Sequence, residues 1–519
     1  MWTNATFGRV HVASLALCAI MLPWSTAFLS MAQMLMVANW LAWCWRDRDL
    51  VHGARSLLVP GPAWAFLSIL LLHVLGLAWT SAEGMAWGLD LVRILLPVLT
   101  FGVVLSATPR LGSRDLRAIL LLGAWSVVAS TLVSLYMAGQ STAYRDMSGF
   151  ISHIRLALLL AFAVVVFLHH APGAWWRWAV HVAAAAWALH YINRLGSLQS
   201  MALLLAIGVV LLWRWAGTWQ RMPRLAMRSA LLALALGLGI FMVHLVNERY
   251  RLPPAELAAT THYTAGGEAY AHVLDDPQTE NGEHVWTWVA LGELYRAWPH
   301  RSDRPLNGPD GRGHPLYGTL VRYMASLGMR KDSVGVMSLS DEDISKIEQG
   351  IPSALAGSRS QLHERFEEVL FELEQYRSHG RASGHSVTMR LEFMKVGWEV
   401  AREHWAMGVG TGDTQLAFNA AYERTGTQLE RNWWLRAHNQ YLTWWISFGV
   451  FGLAWILWAI WWPAWRSRAW RDPLFLAWAV LFLVGSFTDD TLETQAGATF
   501  FAFHYALFVF AAPRTSATS

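Results

Sequence analysis

The sequence predicts an all-α integral membrane protein of about twelve transmembrane helices carrying one large helical domain on the outer side. Three observations predict it. Only 15% of the residues are charged and 55% are hydrophobic, where soluble proteins carry about 25% charged residues, and the mean hydropathy is +0.30. The apolar residues fall in runs long enough to cross a hydrocarbon core of about 30 Å. Arginine crowds the short loops of one side, while most Asp and Glu lie between Glu248 and Glu430. The 32 Trp fit the same picture, because Trp collects at membrane–water interfaces.

In order, spans are predicted near Val10–Pro23, Trp24–Trp45, Pro62–Trp79, Leu89–Leu105, Leu116–Met137 and Ile151–Leu168. Others follow near Trp178–Tyr191, Ser197–Trp215, Leu225–Val246, Asn439–Trp462, Leu474–Phe487 and Ala496–Ala512. The first run is read as a retained anchor, since no small-residue cleavage site follows it. With the N-terminus inside, the inner loops hold Arg46, Arg48, Arg55, Arg110, Arg114 and Arg117, then Arg214, Arg221, Arg224 and Arg228, then Arg466, Arg468 and Arg471. The outer loops hold little beyond Arg145 and Arg194. This is the positive-inside distribution; it accounts for the basic residues without nucleic acid and leaves both termini inside. Three regions result: a bundle over residues 1–247, an outer domain over 248–435 and C-terminal helices over 436–519. Cys18 and Cys44 both fall within spans, so the outer domain must fold without a disulfide.

The outer domain carries helical patterning. Leu362, Phe366, Val369, Leu370, Leu373 and Tyr376 recur at the spacing of one buried stripe. Leu316, Leu320, Met324 and Leu327 do the same, with Gly328 placed to end the helix. Ser340 with Asp343 marks a helix start and Gly350 a stop. Leu306-Asn307-Gly308-Pro309-Asp310-Gly311 is a turn. A mainly helical domain resting on the bundle is expected.

The chemistry concentrates just before a Trp-rich span, in Arg436-Ala437-His438-Asn439-Gln440-Tyr441-Leu442. A helix start carries free N–H groups and partial positive charge that attract phosphate, and it biases an imidazole towards its neutral, proton-accepting form. Arg436 and His438 can serve one ligand only if the helix begins around His438, because residues two apart on a helix diverge. Arg155 and Arg194 stand at outer span ends, against the orientation bias, and a bidentate grip on a diphosphate gives them a reason to be there. The bland alternative is snorkelling to headgroups. Arg390 opens a helix; its bland alternative is a surface ion pair with Glu392 or Glu399. Gly408-Val409-Gly410-Thr411-Gly412-Asp413 lacks the preceding strand of a nucleotide fingerprint, so a tight turn with Asp413 or Thr414 capping the next helix is expected. Asp489, Asp490 and Glu493 form an acidic cluster: either favourable charge at a helix start or, less favoured, a seat for a divalent cation. His73, Asp90, Arg93, His181, His190 and His504 lie in or near spans, and Asp90 with Arg93 can pair on one helical face.

These blocks resemble the O-antigen ligase and polymerase family, multispan bacterial proteins that move glycans off undecaprenyl diphosphate on the periplasmic side. Arg436–Leu442 followed by Phe448-Gly449-Val450-Phe451-Gly452 carries the resemblance best. Arg390-Leu391-Glu392 and the Gly408–Asp413 segment add to it, with weaker support from His153-Ile154-Arg155 and from Asp490-Thr491-Leu492-Glu493-Thr494-Gln495-Ala496-Gly497. The outer segment is longer than the family's usual periplasmic loop and is similar to that of a subgroup with an enlarged one. The resemblance implies a C-type membrane glycosyltransferase fold and an inverting transfer that needs neither metal nor cofactor. It implies His438 as catalytic base and Arg155, Arg194, Arg390 and Arg436 on the diphosphate, with Asn439, Asp413 and Glu493 supporting. The implied partners are an undecaprenyl-diphosphate-linked glycan, an acceptor such as lipid A–core, and the bilayer of the inner membrane. A polymerase is the nearest rival. A transporter or flippase is the rival of another class, marked by ionisable residues near the bilayer midplane.

Overall fold

The computed structural model describes residues 5–46, 61–139, 147–171, 173–249, 252–258, 261–355, 361–380 and 382–513. Arg48, Arg55 and Arg145, and the side chain of Leu362, lie outside the described residues. The chain forms two compact units, Met1–Met227 with Met389–Ser519, and Arg228–Thr388.

The first unit is a bundle of apolar helices: α1 (Ala5–Met21), α2 (Thr26–Arg46), α3 (Pro62–Leu75), α4 (Met85–Ile94), α5 (Leu96–Ala107), α6 (Ser113–Ala138), α7 (His153–His170), α8 (Trp175–Arg194) and α9 (Leu198–Ala216). Its C-terminal part adds α16 (Ser386–Glu403, from Met389 on), α17 (Thr414–Thr425), α18 (Gln440–Ser467), α19 (Pro473–Gly485) and α20 (Gln495–Ala506). Among the described residues, eight helical stretches are long and apolar enough to cross a membrane; Ala5–Met21, Pro473–Gly485 and Gln495–Ala511 are shorter apolar helices. The protein is therefore a mostly helical, multi-pass membrane protein. Pro62 and Pro473 stand in the first turns of their helices, where the missing N–H breaks no bond. α18 packs on α3, α20 on α5 and α9 on α19, so the C-terminal helices lie within the N-terminal set. Their shared core is aromatic: Phe66 stacks on Tyr505 at 4.6 Å, and the Tyr505 hydroxyl donates to the Ile460 carbonyl at 2.6 Å.

The second unit begins within α10 (Arg221–Arg249) and holds α11 (Leu291–Ala297), α12 (Leu316–Ser326), α13 (Ser333–Ser338), α14 (Asp341–Glu348), α15 (Gln361–His379) and a two-residue hairpin of β1 (Thr279–Glu280) and β2 (Glu283–His284). Leu316, Leu320 and Met324 are buried together with Trp298, Tyr323 and Ile347. Leu327, expected on the same stripe, is 43% exposed, because the helix ends at Ser326 and Gly328 turns left-handed behind it. The Ser340/Asp343 reciprocal cap forms as the spacing predicts, and Gly350 follows the helix at φ 80°.

Candidate active site

The site is built on the start of α18. Asn439 caps the helix: its side-chain oxygen accepts from the Leu442 N–H at 3.0 Å, and its amide donates to the Phe487 carbonyl at 3.1 Å. The Gln440 N–H donates to the Ser486 carbonyl at 2.8 Å, and the Gln440 side-chain oxygen accepts from the Leu492 N–H at 2.8 Å. The helix start is thus stitched to the turn between α19 and α20. The helix begins directly after His438, as expected, but the N–H groups of Gln440 and Leu442 already have acceptors and are not offered to phosphate. His438 precedes the cap in a left-handed bend at φ 47°. His tolerates that region better than most residues, yet such backbone costs about 1–3 kcal/mol and gathers at functional sites.

The charges around the imidazole come from distant parts of the chain. Arg155, in the first turn of α7 behind the Ser152 cap, forms an ion pair with Asp489, and its Nε donates to Thr494 Oγ1 at 3.2 Å. Arg436 forms an ion pair with Glu493, and its guanidinium carbon lies 4.6 Å from the centre of the Trp87 ring, on α4. Thr443 donates to Asp490 Oδ1 at 2.9 Å. Phe393 on α16 lies 5.7 Å from the His438 ring, and Arg390 on the same helix acts on the imidazole electrostatically. The Arg155–Asp489 side chains are only 11% and 9% exposed, so this pair escapes the screening that makes surface pairs weak. Deleting one partner of such a buried pair typically costs about 3–5 kcal/mol.

Burial pushes His438 below the ordinary imidazole range; Asp490 and Asp489 pull it up, and Arg390 and Arg436 push it further down. The resting imidazole is neutral and able to accept a proton. Burial raises Asp490, against the pull of His438 and Arg436. Burial and Asp490 raise Glu493 to about 8, with Arg436 opposing. Each of the three carboxylates has a different partner, and among the described residues no three His, Cys, Asp or Glu side chains are grouped to hold a metal ion.

The glycine segment supports this site from below. Val409 and Gly410 donate their N–H groups to the Ile446 and Ser447 carbonyls of α18 at 2.8 and 2.9 Å. Gly449 sits at φ 69° inside α18, where a Cβ would fall 1.9 Å from the Ala406 carbonyl oxygen. Asp413 occupies the cap position of α17 without capping it; its carboxylate instead accepts from the backbone N–H and the hydroxyl of Ser81, both at 2.8 Å. The segment therefore fastens the α3–α4 corner to α18.

Arg194 ends α8 and is half-buried, at the same end of the bundle as Arg155. No bonded contact joins it to the acidic turn among the described residues. Glu392, offered as a surface partner for Arg390, pairs with Lys395. His73 and His504 bond the carbonyls of Ile69 and Phe500 in their own helices at 2.7 and 2.9 Å, as core histidines do. Asp90 and Arg93 form the pair that their spacing predicts, on an exposed face of α4. Trp87, Thr443 and Thr494 were not singled out from sequence, because each sits in an unremarkable apolar or capping context and joins the site only through folding.

Fold and site define a multi-pass membrane protein with a cation-rich imidazole centre at one end of its bundle. Residues 349–457 match the family described as O-antigen ligase, and this match supports the resemblance to the O-antigen ligase and polymerase family. The matched residues include Arg390, the glycine segment, Arg436, His438 and the first part of α18; Arg155, Arg194, Trp87 and the acidic turn lie outside them. No curated protein matches the chain.

Proposed function

We propose that the protein transfers a glycan from undecaprenyl diphosphate to an acceptor hydroxyl, at the periplasmic face of the bacterial inner membrane, with lipid A–core as the acceptor. The observation that carries this reading is the placement of the His438 imidazole, in left-handed backbone beside Arg390, Arg436 and the acidic turn at the end of an apolar bundle. The acceptor hydroxyl loses its proton to the imidazole as its oxygen attacks the anomeric carbon. The bond from that carbon to the diphosphate breaks on the opposite face, and undecaprenyl diphosphate leaves with the electron pair. The anomeric configuration inverts. Arg155, Arg194, Arg390 and Arg436 neutralise the departing charge, which is the larger part of the work when the leaving group is already activated. General-base help contributes about 10²–10⁴-fold. The Arg distribution supports a site at the outer face, with both termini inside.

Silver-stained lipopolysaccharide from a deletion strain tests the reading. Loss of all O-antigen with accumulation of lipid-linked polymer is the expected result. A single attached repeat unit would assign the same chemistry to a polymerase, and an unchanged ladder would end the proposal.

A further inference from the structure

We propose that Trp87 is a positioning residue for the transfer: its indole holds the Arg436 guanidinium in the orientation that receives the donor diphosphate. The inference rests on the reading above and concerns a residue outside the segment that matches the family. Arg436 lies in a stretch without regular structure between Trp433 and Gln440, so no helix restrains its backbone. An arginine side chain left to itself carries about 2 kcal/mol of rotamer entropy. Two groups restrain this one. Glu493 pairs with an N–H edge of the guanidinium, and the Trp87 ring lies 4.6 Å from its central carbon. A carboxylate fixes an edge and leaves the plane free to tilt. An aromatic face fixes the plane, since guanidinium stacks on indole.

The indole is itself held. α4 packs on the Thr491–Glu493 turn, so the two restraints on Arg436 share one wall. The start of α4 is fastened to the glycine segment: Gly412 donates to Thr80 Oγ1 at 3.2 Å and Asp413 grips Ser81. The contact is backbone to backbone. A Cβ on Gly412 would meet the Gly84 carbonyl oxygen at 2.1 Å, and one on Gly84 would meet the Gly412 carbonyl oxygen at 2.9 Å. The same segment is bonded to α18 at Ile446 and Ser447. The helix that follows His438 and the start of the helix that bears Trp87 are therefore both tied to the same glycine segment. Trp87 is only half-buried, so removing the ring disturbs this relation more than it empties a core.

The test uses full-length protein in nanodiscs, with undecaprenyl diphosphate as the probe and transfer kinetics as a second readout. Trp87→Leu is expected to weaken binding of the probe about tenfold and Trp87→Phe by less than about threefold, the span of a partly desolvated cation–π contact. In an Arg436→Gln background, which has no cation for the indole to hold, Trp87→Leu is expected to add no further loss, in binding or in kcat/KM. Trp87→Leu protein that binds like the wild type, or that loses the same factor in both backgrounds, overturns the proposal. If Trp87→Leu does not fold, Trp87→Met keeps most of the volume without the aromatic face and makes the same comparison. Normal probe binding by Arg436→Ala would instead remove Arg436 from the diphosphate site, and the reading of the reaction would fail before the question of Trp87 arose.

Discussion

The two ends of the helical bundle both carry arginines and use them in opposite ways. At the end away from the site, Arg110 donates to the Ala512 carbonyl at 2.6 Å and Arg117 to the His170 carbonyl at 3.3 Å. Arg214 donates to the carbonyls of Trp470, at 2.8 Å, and Arg471. These acceptors lie at or beside helix termini, where C-terminal carbonyls lack partners and a cation meets the negative end of the dipole. At the site end, Arg155 and Arg436 face buried carboxylates of one turn. A guanidinium on backbone carbonyls holds helix ends together; one among carboxylates belongs to a cluster of buried charge. Counting arginines per loop gives orientation, and only their partners separate the two uses.

The contrast can be broken, with the largest effect at the imidazole. His438→Ala is expected to lower transfer by about 10²–10⁴-fold, with protein level and membrane insertion unchanged in immunoblots of membrane fractions; near-normal transfer would remove the base. Next come Arg155→Lys and Arg194→Lys, each expected to reduce kcat/KM at least about tenfold because an ammonium does not reproduce the bidentate fork. Full activity of Arg194→Lys would leave that residue to the headgroups. The pH profile sharpens the picture. Since burial lowers His438, the acid limb of kcat/KM should lie below the ordinary imidazole value of 6.5. Arg390→Gln removes a group that lowers His438 and should move the limb up; Asp490→Asn removes one that raises it and should move the limb down. Limbs that move together, or not at all, would detach His438 from the profile. The smallest effect belongs to the far end: Arg110→Gln should leave transfer within about twofold while lowering the melting temperature, because its bonds to the Ala512 and Val509 carbonyls hold a helix end away from the site.

Hydropathy made the bundle legible, because it is a local property of the chain. Ser340, Asp343 and Gly350 gave the bounds of α14 for the same reason: reciprocal capping lies within a few residues. The site was legible only in part. His438 and Arg436 stood out by position and Arg155 by standing against the orientation bias, and the structure brings these three to one acidic turn; Arg194 stood out in the same way but has no bonded contact with that turn among the described residues. The partners did not stand out: Arg155 and Asp489 are 334 positions apart, a separation that no periodicity encodes. Asp413 shows the opposite limit, since its place ahead of a helix suggests a cap and tertiary contact drew it to Ser81. Trp87 was hidden among 32 tryptophans, nearly all of which a membrane protein would hold anyway.

The left-handed Gly449 divides α18 into two mechanical parts. Val450 turns its N–H away from its own helix to the Trp405 carbonyl at 2.7 Å, so tension is not passed along a continuous ladder at this level. The short piece bearing the reactive end is held by its own bonds, to Ser486 and Phe487 at its start and to Val409 and Gly410 at its end, independently of the long tryptophan-studded piece. Thickening or thinning the surrounding bilayer should therefore leave turnover nearly constant, an insulation that an unbroken rod would not provide.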